Sequence, residues 1–488
     1  MKQQVFNPYL PSYEYIPDGE PHLFNDRVYI YGSHDAFNGK AFCVGDYICY
    51  SAPKDDLSDW KFEGVIYQTL QTPGATKKTV MWAPDVTQGT DGRFYLYFFV
   101  HGSKGKDNSI HVAVCQTPAG KYEYLGEVKY QDGTPVGQGK DELKSFDPGV
   151  FRDEDGKVYL YSGFSPLHRN PFITGKRKPS DKGSMCYRLS QDMLTVEKGP
   201  DFIGVPGKKT SLGTGYEGHE FFEASSMRKF NGTYYFIYSS FIGHELCYAT
   251  SKYPDHGFEF KGTLVSIGDI GLGPKNPQEA LNYTGNTHGS ILNIADDYYV
   301  FYHRQTNLYQ YSRQACAEKL TINKDGLFSQ AEITSCGLNN GPLKGVGRYE
   351  ARIACNLNSS VGAKFYWVMQ LKLLNRKHPY FTQYGKDRED TPNQHIANFN
   401  NGCWCAFKYF DLNNPKSITV SVKGKAAGVL TVSTSKDGQP IAQIGISKTN
   451  GKYQDFSCVL KPVVGILPLY FSYKGSGRFD FMSFELKD

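Results

Sequence analysis

Five times in the first two-thirds of the chain, a short half-apolar run enters a turn and leaves it as an aromatic-rich alternating run. The second runs read "RVYIYGS" around Tyr29, "GRFYLYFF" around Tyr95, "GKVYLYSG" around Tyr159, "GTYYFIYSS" around Tyr235 and "DDYYVFYH" around Tyr299. Ahead of each turn stand "EPHLF", "WAPDVTQ", "DPGVFRD", "EASSMRKF" and "HGSILNI". The turns are of the Asn-Asp, Asp-Gly, Asn-Gly and Asp-Asp kind, the chemistry that tight hairpins demand. The unit is therefore a β-hairpin that recurs about every 65 residues, and such self-similarity marks stacked or radial repeats. Five hairpin repeats suit a five-bladed β-propeller, in which small antiparallel sheets surround a central axis. From about Gly341 the repeat stops. Short alternating strands follow, among them "SITVSVKG", "GVLTVSTS", "IAQIGIS", "LPLYFSYKG" and "GRFDFMSFELKD", which read as a β-sandwich. The expected division is a propeller over 1–340 and a sandwich over 341–488.

Composition agrees with an all-β chain. Of 488 residues, 36 are Tyr and 32 Phe, and glycine is abundant at 51. The net charge of +5 is small for this length and forms no basic stripe. The densest cluster, "GKRKPSDKG" at 175–183, reads as a solvated loop, so no nucleic-acid partner is expected. No window approaches a membrane span, and the amino terminus "MKQQVFNPYL" has no apolar signal region. Eleven scattered cysteines lack metal-like spacing and read as buried free thiols. Both features predict a reducing, cytoplasmic setting. No glycine fingerprint for a nucleotide follows a strand.

The repeats also place residues. In a propeller the innermost strands run along the central channel, so polar residues just ahead of the hairpins converge on one mouth. That position holds Asp18 (with Glu20), Trp82 with Asp85, Asp147, Glu223 and His288. Acids from three blades aimed at one cavity are what hydrolysis of a glycosidic bond requires. Glu223 follows Phe221 and Phe222, an apolar flank that would keep a carboxylic acid protonated.

The segments "IPDGEPHLFNDRVYIYGSHD", "MWAPDV", "SFDPGVFRDEDGKVYLYSG", "FFEASSMRKFNGTYYFIYSS" and "THGSILNIADDYYVFYHR" together resemble glycoside hydrolase family 43 over residues 5–335. The resemblance implies an inverting mechanism with Asp18 as base, Asp147 as pKa modulator and Glu223 as acid. Two departures stand out. The first-blade Asp-Pro is here Asp18-Gly19-Glu20-Pro21, which makes Glu20 a rival base, though counting back from the Tyr29 hairpin favours Asp18. The Glu-Gly-Pro of the acid is here Glu223-Ala224-Ser225. Trp82, His288 and Arg313 are implied as substrate-binding residues. No cofactor is required, and the resemblance allows a structural calcium near His288. In this reading Asp18 is the more solvated acid, and Asp147 raises the pKa of Glu223 by its charge. His34 and Asp35 lie near the pocket without a role, while Glu217 and Glu220 read as loop charges near its mouth.

The stretch "NQHIANFNNGCWCAFKYFDL" and the strands after it resemble family 6 carbohydrate-binding modules, with Trp404 expected in the core. The alternative task for that domain is to pack on the propeller and shape the rim of the site. Taken together, the sequence predicts an exo-glycosidase that removes α-L-arabinofuranosyl or β-D-xylosyl units from plant cell-wall oligosaccharides. The alternatives are a retaining furanosidase of the related propeller type and a carbohydrate-binding propeller with dead chemistry. Sugar preference, linkage and oligomeric state are not written in the sequence.

Overall fold

The computed structural model describes residues 3–102, 109–138, 142–168, 177–363, 377–389 and 393–488. The chain is all-β: a five-bladed propeller followed by a β-sandwich. The described helical segments are two 3-10 turns, Thr69–Gln71 and Ala351–Ile353. No described helix is long and apolar enough to cross a membrane. The lysine-rich segment at 175–183 begins with two residues that lie outside the described ones.

Each of the first four blades is a four-stranded antiparallel meander. Their inner strands are Glu20–Phe24, Val80–Gln88, Gly149–Arg152 and Phe221–Phe230. The fifth blade has three strands, beginning with Ser290–Ile294 and ending with Tyr309–Leu320. The predicted turns form as read. Leu23 pairs with Val28 across Asn25-Asp26, and Lys229 pairs with Tyr234 across Asn231-Gly232. Asn25, Asn231 and Gly232 take the left-handed backbone these hairpins need.

The core lies between blades. Tyr31, Ile66 and Met81 join the first blade to the second, and Tyr97, Val112 and Leu160 join the second to the third. Tyr161, Phe221 and Phe236 continue the ring, and Ile237, Val265 and Val300 carry it to the fifth blade. The amino-terminal segment closes it. Val5, Tyr9, Leu10 and Ile16 fill the gap between Phe301 and Ala315 of the last blade and Ile30 and Ile48 of the first. Asn7 pairs with Ala317 through both side-chain atoms. Alternating strands with apolar residues on both faces thus bury each sheet against its two neighbours.

The sandwich consists of two six-stranded sheets whose facing residues form one large core, with Phe407, Phe471, Phe481 and Phe484 at its centre. The quoted strands appear at Ser417–Gly424, Ala427–Ser433, Pro440–Ile446, Val464–Ser476 and Arg478–Lys487. Trp404 departs from expectation. Its neighbours Cys403 and Cys405 are buried, but alternation turns the indole to the other face, half-exposed beside Tyr470 and under the Lys436 ammonium. All eleven cysteines are free, eight of them buried.

Candidate active site

The inner strands begin around one end of the channel, and the residues just ahead of or at their starts line a pocket of about 600 Å³. This lies within the roughly 300–1,000 Å³ typical of small-molecule sites. Asp18, Trp82, Asp147, Glu223 and His288 line it, as the spacing predicts, and so does Arg313. The local backbone is unusual at each acid. Asp18 has φ 57°, Asp147 has φ 47°, and Ala224, next to Glu223, has φ 67°. Non-glycine residues in the left-handed region are uncommon and cluster where structure is bent to a task. Pairing between the first two strands of the fourth blade also shifts register around Glu223, a bulge that re-aims the carboxyl. Blades meet closely here. A Cβ on Gly149 would lie 2.2 Å from the Ser225 carbonyl oxygen, so Asp147-Pro148-Gly149 can approach the acid-bearing strand only with glycine at 149.

Asp18 is buried, not solvated as expected from sequence. Burial alone would raise its pKa, but the Arg313 guanidinium overcomes it and holds the carboxyl below its ordinary value. Arg313 Nη1 donates to Asp18 Oδ1 at 2.8 Å. The arginine is itself fixed by Asp35, which accepts from Nε at 2.8 Å, from Nη2 at 3.1 Å and from the Arg313 backbone N–H. His303 also faces Asp18, but as a neutral ring. Its Nδ1 accepts the Asp18 N–H at 3.2 Å while Nε2 donates to the Asn286 carbonyl, and burial pushes its pKa down to about 3.

Glu223 behaves oppositely. Burial, then the charge of Asp18, pushes its pKa up to about 8, against the pull of Arg313. Phe222 lines the pocket beside it, while Phe221 turns into the core between the third and fourth blades. Asp147 is also raised, by burial first and by Glu223 second. Asp18 thus acts on Glu223, and Glu223 on Asp147, and burial makes both Glu223 and Asp147 favour the protonated form. The Ala224 N–H bonds to the Asp147 carboxyl, which ties that group to the residue next to Glu223.

The walls are aromatic. Trp82 packs edge-on against Phe146 at 4.8 Å between centroids, and Phe42, Phe164 and Phe222 continue the surface. Phe42 stands under the Arg313 guanidinium, 4.7 Å from the ring centre. Trp82 Nε1 is buried and has no partner among the described residues. His288 sits at the floor. Its Nδ1 is 3.7 Å from Asp147 Oδ2 and 3.9 Å from Asp18 Oδ1, and its Nε2 is 3.9 Å from Glu20 Oε1. Burial keeps this ring neutral.

Beneath the floor lies a second polar cluster, outside the pocket. Glu20 Oε2 accepts from Arg228 Nη2 at 2.7 Å and from Ser226 Oγ at 2.9 Å. Asp85 accepts from the Val150 N–H at 2.8 Å and meets His22 Nε2 at 2.7 Å. Asp85 thus links blades instead of lining the pocket. Two groups of side chains have metal-like spacing among the described residues: Glu20, His22 and Asp85, and His219, Glu245 and Cys247. In the second, burial keeps the Cys247 thiol protonated and His219 is hydrogen-bonded to Glu245 at 2.7 Å. In the first, Glu20 Oε1 is a buried oxygen without a hydrogen-bond partner. Calcium takes oxygen ligands, so Glu20 Oε1, 3.9 Å from His288 Nε2, is the atom of this group that would be left to hold one.

The family model for glycosyl hydrolases family 43 matches residues 22–328. The chain belongs to that family. It is a glycoside hydrolase. It is 47% identical over 488 residues to a xylosidase/arabinosidase of Thermoclostridium stercorarium, a match covering 100% of this chain and 99% of the relative. A Bacteroides ovatus xylosidase/arabinosidase is 30% identical and matches 60% of this chain and 87% of its own length. Among solved structures, a β-xylosidase/α-arabinofuranosidase from a compost microbial metagenome, crystallised with xylotriose, aligns with a TM-score of 0.51 at 27% identity. That alignment covers 68% of this chain and 98% of the other. An arabinoxylan arabinofuranohydrolase of Bacillus subtilis shares the whole two-domain fold, with a TM-score of 0.51 at 23% identity over 99% of this chain and 97% of the other.

Within this family-43 site, sequence reasoning missed Asp35, Phe42 and His303. The motif "GSHD" pointed at Asp35 without a role, because its partner Arg313 lies 278 residues away. Glu220, read as a loop charge, is buried and takes Lys208 Nζ at 2.6 Å. Glu217 is exposed, and its carboxylate accepts the Gly213 and Thr214 N–H groups.

Proposed function

We propose that this chain is an inverting exo-glycosidase that removes terminal α-L-arabinofuranosyl or β-D-xylosyl units from plant cell-wall oligosaccharides. One observation carries the reading: Asp18 and Glu223 share one pocket, and their surroundings push their pKa values in opposite directions. Glu223 holds the proton that the departing glycosidic oxygen needs. Asp18, ionised beside Arg313, takes a proton from the water that attacks the anomeric carbon. The C–O bond to the leaving group breaks as the new C–O bond forms on the opposite face. Acid and base in such enzymes stand roughly 6.5–9.5 Å apart to admit that water. Asp147, tied to Ala224, positions Glu223. Trp82 supplies an apolar face for sugar C–H groups.

Glu20 is the weaker candidate for the base. Both Arg228 and Ser226 occupy its Oε2, and it does not line the pocket. A structural calcium would be held by Glu20 Oε1 and backed by His288, and would add fixed positive charge beneath the acids. The substrate classes rest on the names of the Thermoclostridium and Bacteroides relatives. A sugar-binding propeller without chemistry has no use for a carboxylic acid with so high a pKa. The test is hydrolysis of nitrophenyl α-L-arabinofuranoside and nitrophenyl β-D-xyloside. Turnover of either supports the proposal, and turnover of neither, with binding of the free sugars, points to the dead propeller.

A further inference from the structure

The sandwich reaches the active site through one loop. Asp387 Oδ1 accepts the Phe37 N–H at 2.7 Å. Arg388 Nη1 donates to His34 Nε2 at 3.0 Å, and its Nη2 stands 3.0 Å from Glu14 Oε1. The His34 tautomer is fixed for this contact. Nδ1 faces the Asp46 carbonyl at 2.9 Å and must donate there, which leaves Nε2 as acceptor. Burial and the Arg388 charge keep the ring neutral, as the contact requires. Alongside, Tyr15 donates to Gln383, and Thr382 and the Phe381 carbonyl grip Asn307, which bonds Asn38.

These contacts end on the loop after the second strand of the first blade. That loop contains Asp35, which fixes Arg313, and Phe42, which lies under it. The backbone at Arg388 has φ 57°. A non-glycine residue persists there when its surroundings determine its place. Its partner Glu14 is fully buried, and burial raises its carboxyl to about 7 against the pull of Arg388. The titratable and charged groups facing Arg388 are therefore Glu14, His34 and Asp387.

We propose that Asp387 and Arg388 of the sandwich are positioning residues for catalysis: they set the 34–43 loop, through it Asp35 and Arg313, and so hold Asp18 in place through its contact with Arg313 Nη1. The sandwich is then a working part of the hydrolase and not only a neighbour of it. This inference rests on Asp18 as the base, so its test has one readout that depends on activity and one that does not.

The full-length chain is compared with Arg388→Ala, Arg388→Lys and Asp387→Asn. Arg348→Ala, an exposed substitution on the sandwich far from the loop, serves as the control. The first readout is kcat and KM, taken separately, on whichever nitrophenyl glycoside the enzyme cleaves, below the melting transition. With Arg313 loosened and Asp18 misplaced, kcat of Arg388→Ala should fall roughly tenfold while KM changes by less than about threefold. Lysine should rescue part of this. The second readout is hydrogen exchange of the 34–45 backbone, which should speed up in Arg388→Ala and Asp387→Asn and not in the control. Unchanged exchange would overturn the clamp whether or not the enzyme acts on these sugars. Faster exchange with an unchanged kcat would overturn the link to Asp18, and a fall in kcat equal to the control's would do the same.

Discussion

The pocket and the channel below it present the same ingredients with different outcomes. Each has an arginine paired with carboxylate: Arg313 with Asp18 and Asp35 above, Arg228 with Glu20 alone below. The two acids are only two residues apart in the first blade. Yet Asp18 is held below its ordinary pKa, whereas burial, with the nearby charge of Asp85, pushes Glu20 up to about 8 against Arg228. The upper arginine leaves Asp18 facing an open pocket. The lower one, with Ser226, closes off Glu20. What a carboxylate can do here depends on who holds it and what it faces, not on its place in a motif.

The largest expected effects separate the two acids directly. Asp18→Asn and Glu223→Gln should each lower kcat on an oligosaccharide by at least about 10³-fold, since each removes one acid–base function. Glu20→Gln should cost less than about tenfold. On nitrophenyl glycosides, whose leaving group needs little proton donation, Glu223→Gln should be partly spared. A dead Glu20→Gln beside an active Asp18→Asn would reverse the assignment.

The two arginines come next. Arg313→Gln should lower kcat/KM by roughly 10²-fold and move the acidic limb to higher pH by about a unit, because Asp18 loses its counter-charge. Arg228→Met should leave that limb in place but lower stability to urea by about 3 kcal/mol, the usual cost of leaving one partner of a buried pair alone. A limb shift in Arg228→Met would mean that the floor and the pocket act as one electrostatic unit.

A smaller effect is expected at Asp147. Because it prefers its own proton, Asp147→Asn should lower kcat roughly tenfold through misplacement of Glu223 while the alkaline limb stays within about 0.3 units. A fall of the limb by a full unit would show that Asp147 is ionised and raises Glu223 by repulsion.

Much of this was legible in the chain. Hairpin turns and alternating runs located the blades, and residues at one repeat position located the pocket. What the sequence could not show were long-range partners. Asp18 was read as solvated because Arg313, which keeps it charged in a buried place, lies 295 residues away. Asp85 shares a motif with Trp82, but a register shift between them sends the two side chains to different places. Trp404 reads as a core residue because it sits inside a strand, but alternation puts it on the opposite face from the buried Cys403 and Cys405.

The smallest effect concerns stability. Glu20 and Glu223 have folded pKa values of about 8, above the ordinary 4.5. Between these limits the folded chain holds protons that the unfolded chain releases, so stability should fall as pH rises from about 4.5 through about 8. Glu223→Gln should flatten part of that decline, so its melting temperature should exceed the wild type's by a few degrees at pH 8 and match it at pH 4. Equal melting temperatures at both values would place the Glu223 pKa near normal.

The central claim is that Asp18 activates water and never bonds to the sugar. Proton NMR during the first minutes of hydrolysis reads this directly from the anomer released. For an α-L-arabinofuranoside the first product should be β-L-arabinofuranose, and for a β-D-xyloside it should be α-D-xylose, before mutarotation mixes the forms. Release of the anomer with the substrate's own configuration would make Asp18 a nucleophile and contradict the account.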